Sequence, residues 1–298
     1  MIFSSVIAYF VVTLVNRLVM RHIFKNPDYE EPFERLGYVK VPFLSPEQIE
    51  FLLDFYHNND TDTSGLRFHS TMFSKDPDYR RKVDKTIKDL TGDLTNQYLI
   101  DFKPLFANFI TKEPGEASEV GLHQDWDFVD ERHFDSVNYW CPLVDITEET
   151  GLFYVLEGSH RIFREIRMSP HNYIFTDLED IIRRYAKPFT LKAGEAILYN
   201  NAVLHFSKPN LSNHIRIAIG SALIPNEAQG YHYYMDQEQT ERKIEVFPAG
   251  PDFFVNFEMD KRPSHTDPVA TIDYERIKIT PEHLEQQLLQ VNQTSRPL

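Results

Sequence analysis

The chain is 298 residues long, enough for one large β domain or two smaller ones, and its apolar content of 42% is ordinary for a globular protein. Its 45 acidic residues outnumber 31 basic ones, for a net charge of -14. Duplex binding needs clustered Lys and Arg; no long basic run occurs, which argues against nucleic acid as a partner and leaves the acidity as a solvated surface.

Residues 1–25 open with an uncharged apolar stretch from Ile2 to Val15, followed by Arg17, Arg21 and Lys25 spaced four apart on one helical face. The stretch falls short of the ~20 residues that span a bilayer. No basic residue precedes it, so it is a poor secretory signal. Two expectations lead: a helix packed on the body or on a partner subunit, or an interfacial helix with its basic residues at the headgroups, with a full transmembrane span as the lesser alternative. The second would make a cytoplasmic protein peripherally membrane-associated. Cytoplasmic placement fits the single cysteine, Cys141, which precludes an intramolecular disulfide and reads as a strand residue rather than a nucleophile.

Residues 26–225 read as the main domain. A short strand is expected at Tyr38–Val41. Ser45-Pro46-Glu47-Gln48 is a helix start, with Ser45 as N-cap, Pro46 at the first helical position and Gln48 closing a capping box. That helix carries Ile49, Leu52, Leu53 and Tyr56 on one face. A second begins near Asp76-Pro77 and runs towards Leu99, with Val83, Ile87, Leu90 and Leu94 at helical spacing. The pattern then changes to strands at Phe106–Ile110, Ser136–Ile146, Phe153–Leu156, Ala196–Tyr199 and Ile215–Ile224, separated by Pro/Gly/Ser/Asn turns and one helix at Asp177–Tyr185. Many short strands with regular turns predict a mainly β protein with flanking helices (α+β), built as a barrel or a two-sheet jelly roll. Residues 226–298 turn polar again, with an aromatic cluster at Tyr231, Tyr233 and Tyr234 and a last helix at Pro281–Val291. They read as an extension that wraps or lids the core.

Four polar residues interrupt this apolar β pattern: His123, Asp125, His205 and Arg216. His-x-acid pairs are a weak signal alone, and the chain has four of them. His133-Phe-Asp135 and His265-Thr-Asp267 lie in charged loops. In His283-Leu-Glu285 a helix makes i and i+2 diverge. Only His123-Gln-Asp125 sits at a strand edge, where i and i+2 share a face and can grip one ion. His205 follows an apolar strand and can complete the set. Two histidines and a carboxylate are the ligands of a non-haem iron(II) site with open positions. Arg216 stands inside Ile215-Arg-Ile-Ala-Ile219, where a guanidinium is costly without an anion and its planar fork suits a carboxylate.

His123-Gln-Asp125, Trp140, Gly151, Gly158-Ser-His160, Gly194, His205-Phe-Ser207 and Arg216 together resemble the phytanoyl-CoA dioxygenase (PhyH) family, iron(II)- and 2-oxoglutarate-dependent oxygenases. The resemblance covers about residues 30–225 and is strongest over 120–222. It implies a double-stranded β-helix core of the cupin-like jelly-roll type. It implies metal ligation by His123, Asp125 and His205, and co-substrate contacts from Arg216 and Ser207 at the distal carboxylate, from Trp140, and from Asn138 on the same strand face. His160 is implied as a supporting residue of its turn. The reaction implied uses O2, with ascorbate as a reductant, and hydroxylates a small-molecule or lipid-like substrate, yielding succinate and CO2. Related halogenating oxygenases lack the acidic ligand, so Asp125 favours hydroxylation. The rival expectations are a metal-binding jelly-roll protein without turnover, or a cupin-type dioxygenase using no oxo acid; the latter has no distal carboxylate for Arg216 to hold. Trp126 and Phe128 are candidates for the substrate wall, with ordinary core aromatics as the alternative. Arg161, Arg164, Arg167 and Lys208 read as a scattered, solvated set.

Overall fold

The computed structural model describes residues 21–59, 67–170, 175–238, 242–250, 252–274 and 278–294. The elements in chain order are α1 (Glu30–Leu36), β1 (Tyr38–Pro42), α2 (Pro46–Asn59), β2 (Phe68–Ser70), α3 (Pro77–Tyr98), β3 (Phe102–Lys112), β4 (Val120–His123), β5 (Val137–Pro142) and β6 (Phe153–Val155). The one-turn helix α4 (Ser159–Ile162) and α5 (Glu179–Tyr185) precede β7 (Lys187–Phe189), β8 (Glu195–Asn200), β9 (His205–Ser207) and β10 (Arg216–Pro225). The chain continues through β11 (Tyr231–Tyr234), β12 (Lys243–Pro248) and β13 (Ala270–Asp273) to α6 (Pro281–Thr294).

Local chemistry accounts for the helix starts. The Ser45 backbone N–H donates to Gln48 Oε1 (2.9 Å) and the Gln48 N–H to Ser45 Oγ (3.3 Å), closing the expected capping box. Asp76 Oδ1 accepts from the N–H groups of Asp78 and Tyr79, with Pro77 at the first position of α3. The tail of the predicted N-terminal helix is not helical: residues 21–23 have no regular structure, Phe24 bridges to Leu99, and Lys25 lies in a bend. Arg21 instead docks on the body, donating to Glu227 Oε1 (2.8 Å) and to the Ile100 carbonyl (2.8 Å). The rest of that prediction, residues 1–20, lies outside the described residues.

A six-stranded antiparallel sheet, in the order β1-β8-β5-β10-β3-β2, faces a four-stranded one, β4-β9-β6-β7. β10 and β5 are buried along their whole length, which is why their sequences read as continuous apolar runs rather than alternations. On the outer face of the large sheet, Phe109, Tyr139, Cys141, Leu198, Ile217 and Ile219 share one core with Leu52 and Tyr56 of α2 and Val83 and Ile87 of α3. Cys141 is therefore a packing residue, and burial pushes its thiol well up. Residues directly opposed in antiparallel strands share a face. By register, Lys112 and Arg216, Asn138 and Ala222, Trp140 and Gly220, and Tyr199 and Asn138 are such pairs, so all of these point between the two sheets.

The small sheet obeys the same alternation. His123 stands opposite His205, and Phe153 opposite Ser207, on the inner face. Phe206 turns outward, stacks on Tyr154 (4.7 Å between centroids) and joins a core with Leu284 and Leu288 of α6. Residues 226–298 carry more structure than the polar composition suggested. β11, β12 and β13 form a third sheet, and Phe247, Phe253, Phe254 and Phe257 pack with Trp126 and Phe128.

Candidate metal centre

The jelly-roll interior brings together His123, Asp125 and His205. One donor atom of each lies within 4.8 Å of those of the other two. His123 ends β4 and His205 begins β9; their rings are 4.2 Å apart between centroids. Each imidazole is oriented by its own backbone. His123 Nδ1–H donates to the Gly121 carbonyl (2.8 Å) and His205 Nδ1–H to the Val203 carbonyl (2.9 Å), which fixes the tautomer with Nε2 as the ligating atom. His123 Nε2 stands 3.9 Å from Asp125 Oδ1. Between them Gln124 points away and donates to the carbonyls of Phe163 and Ala202. Strand alternation thus delivers both site residues to one side.

Asp125 is held through its other oxygen. Oδ2 accepts from Asn138 Nδ2 (2.5 Å) and from the Tyr199 hydroxyl (2.9 Å). Its backbone carbonyl accepts from Arg167 Nε (2.7 Å). Burial raises the Asp125 pKa, but the adjacent His205 and His123 and these two hydrogen bonds outweigh it, and the net shift is downward. Burial, and then His205, pull His123 down to about 4 against the opposing pull of Asp125. Near neutral pH Asp125 is therefore a carboxylate and His123 a neutral imidazole, the protonation a divalent metal requires of such ligands.

At the far end of the same interior lies Arg216, 2% exposed. One Nη donates to the Gly151 carbonyl (2.9 Å), and the guanidinium lies over the Trp140 ring at 5.3 Å. Its Nε is buried without a partner, and no carboxylate pairs with it among the described residues. Burial alone pulls its pKa down to about 9. Gly151 reaches this spot because it is a glycine: at φ +88° it presses against the next loop, where a Cβ would sit 2.4 Å from the Lys208 carbonyl oxygen. Trp140 stacks on Phe153 (5.2 Å), and Phe153 on His205 (5.2 Å), so an aromatic wall runs from the arginine to the histidines.

The remaining predicted residues fall as follows. Ser207 is buried on the inner face in register with Phe153. Trp126 and Phe128 pack at the junction with the C-terminal extension, edge-on to Phe257 and Phe254 respectively. His160 Nε2–H donates to the Glu34 carbonyl (3.0 Å), and neighbouring Ser159 Oγ accepts from the Leu204 N–H (2.8 Å), bracing the start of β9. His133, His265 and His283 are exposed, as their loop and helix contexts predicted. Arg167 is a correction. It is 8% exposed rather than solvated, with Asp127 at 2.6 Å and Glu131 also paired to it. Sequence reading also passed over Tyr199 and Lys112. A lysine ending an apolar strand carries the same cue as Arg216, but the partner it would face depends on register.

A jelly roll with two histidines and a carboxylate facing inward, and an unneutralised arginine beyond them, defines a metal-centre class of the double-stranded β-helix. Residues 33–218 match the phytanoyl-CoA dioxygenase (PhyH) family, and the chain belongs to that family. Phytanoyl-CoA dioxygenase 1 of Oryza sativa subsp. japonica is 28% identical over 127 residues, which is 40% of this chain and 43% of that protein, so the match spans less than half of its length. Among solved structures, the epimerase SnoN in complex with Fe3+, alpha ketoglutarate and nogalamycin RO is 16% identical with a TM-score of 0.51, covering 84% of this chain and 94% of SnoN. HygX from Streptomyces hygroscopicus, with nickel and 2-oxoglutarate bound, is 14% identical with a TM-score of 0.50, covering 68% of this chain and 88% of HygX. At these identities the likeness is one of fold.

Proposed function

We propose that this chain is an iron(II)- and 2-oxoglutarate-dependent oxygenase that hydroxylates an aliphatic C–H bond of a small-molecule or lipid-like substrate. The observation that carries the reading is the pairing, inside one β sandwich, of the His123/Asp125/His205 set with a buried Arg216 that has no carboxylate partner among the described residues. The donor set suits iron(II) with open coordination positions. The partnerless Nε of Arg216 suits a carboxylate arriving from outside.

In this reading His123 Nε2, His205 Nε2 and one oxygen of Asp125 hold the metal. Asn138 and Tyr199 occupy Oδ2 and so reserve Oδ1 for that purpose. Arg216, with Ser207 beside it, binds the distal carboxylate of 2-oxoglutarate and orients the oxo-acid end towards the histidines. Trp140 and Phe153 wall that channel and keep water from it. Bound iron(II) with 2-oxoglutarate supplies the coupling of O2 to C–H oxidation, with succinate and CO2 as co-products. Asp125 would fill the position that halogenating oxygenases leave to a halide by lacking the acidic ligand, which favours hydroxylation.

The test is succinate formation by purified protein with iron(II), ascorbate and 2-oxoglutarate. His205→Ala is expected to abolish it, and undiminished turnover in that variant would remove the assignment. Residues 26–225 are proposed as the catalytic unit, with 226–298 as a wrap over it. No described helix is long and apolar enough to cross a membrane. Peripheral membrane association through residues 1–25 is tested by vesicle co-sedimentation of the full chain against a chain lacking them.

A further inference from the structure

We propose that Lys112 is a second cation of the oxo-acid pocket and selects co-substrates that carry a distal carboxylate. The proposal rests on the oxygenase reading above. Lys112 and Arg216 are direct partners in the β3–β10 ladder, so both side chains leave the same face of the sheet, side by side. Lys112 is fully buried. Its Nζ crosses the interior and donates to the carbonyls of Ser207 (3.1 Å) and Lys208 (2.7 Å). Ser207 is the residue placed beside the distal carboxylate in that reading. Two carbonyls use two of the three ammonium protons and leave one to give.

The charge balance of this corner is the argument. Two neighbouring basic groups are desolvated, with the neutral carbonyls of Gly151, Ser207 and Lys208 as their acceptors, and burial first, then Arg216, pull the Lys112 ammonium down to about 6. Among the described residues neither cation has a carboxylate partner. Glu119, which attracts Lys112 through space, is partly exposed and paired with Arg183 at 3.3 Å. Burying cations without counter-charge is costly, and Arg167 shows that this fold pairs a buried arginine when its role is structural. An anion arriving with the co-substrate supplies the missing charge. A 2-oxo monoacid offers the same chelating end but leaves both cations uncompensated. The pocket is thus built to discriminate on the distal group, and Lys112 doubles the charge that does so.

The alternative is that Lys112 only straps β9 to the large sheet. Calorimetric titration of nickel(II)-loaded protein separates the two, because it needs no turnover. The probes are 2-oxoglutarate and 2-oxopentanoate, which differ only in the distal carboxylate. Lys112→Met is expected to weaken 2-oxoglutarate about 10–100-fold and 2-oxopentanoate less than about 2-fold, while Lys112→Arg keeps most of the difference between them. Equal weakening of both acids, or unchanged 2-oxoglutarate affinity, overturns the proposal and leaves the oxygenase reading standing. A wild-type protein that binds neither acid overturns both. Should Lys112→Met fail to fold, Arg216→Met carries the test. With Lys112 still present it is expected to prefer 2-oxoglutarate over 2-oxopentanoate by about 10-fold or more, and complete loss of preference assigns selection to the arginine alone.

Discussion

Two buried arginines of this protein live under opposite conditions. Arg167, behind the ligand segment, is clamped by Asp127 and Glu131 and donates to the Asp125 carbonyl. Burial alone would lower its pKa, but the two carboxylates outweigh that and raise it. Arg216, in the jelly-roll interior, is as deeply buried but has one carbonyl, an aromatic face and, among the described residues, no counter-charge, and its pKa falls to about 9. The first arrangement is complete in itself and holds the backbone of a metal ligand. The second is complete only with an anion, which is what a binding site looks like before its ligand arrives.

The largest expected effect attacks the complete arrangement. Arg167→Met leaves Asp127 and Glu131 buried without their cation and is expected to lower stability by about 3–5 kcal/mol, read as a shifted urea midpoint. Arg216→Met is expected to do the reverse. It should leave the urea midpoint nearly unchanged and weaken 2-oxoglutarate by about 100-fold or more. If the two variants changed places, with Arg216→Met unfolding the protein and Arg167→Met sparing it, the contrast would be broken.

His232 extends the comparison to the C-terminal junction. Both its ring nitrogens are buried without hydrogen-bond partners among the described residues, and it is packed edge-on against Trp126 and Phe257. Burial first, and then His265, push it down to about 3 from the usual 6.5. The folded pKa lies below the unfolded one, so the unfolded state binds more protons in between. Stability from the neutral ring is fully present above the unfolded value and is lost as pH falls towards the folded value. At pH 5 the loss is about 2 kcal/mol. His232→Phe should flatten the stability profile between pH 7 and 5 by that amount. An unaltered slope would mean that the ring gains a partner in solution.

The smallest effect belongs to Tyr199, a partnered group. Tyr199→Phe removes one donor from Asp125 Oδ2 and leaves Asn138 in place. Metal affinity, measured by chelator competition, is expected to fall about 10-fold with little change in fold stability. A stability loss as large as that of Arg167→Met would mark the hydroxyl as part of the scaffold instead.

Much of this was legible because it is local. The capping box at Ser45 and Gln48 and the start of α3 at Asp76 depend on residues three positions apart. The shared face of His123 and Asp125 follows from the strand period. The costly arginine in β10 announced itself by its apolar neighbours. Other features left little local trace. β2 and β7 are three residues long and β13 four, too short to show a period, whereas β12 does alternate through Lys243-Ile244-Glu245-Val246 and was overlooked in a polar stretch. Arg167 looked like one of several surface cations because its partners lie 36 and 40 positions away. Tyr199 reads as an ordinary strand aromatic until β8 is set beside β5.

The sequence by itself therefore determined the element periods, the helix caps, the kind of chemistry its inward polar residues can do, and the family that combines them. Tertiary structure decided which buried charges are satisfied and which wait. It put Asn138 and Tyr199 on the same carboxylate oxygen, gave Arg167 two acids, and set Lys112 beside Arg216 with none among the described residues. The physical reason is range. Backbone geometry and capping act over a few residues, whereas the free energy of a buried charge depends on everything within several ångströms, and only strand register and loop packing choose those neighbours.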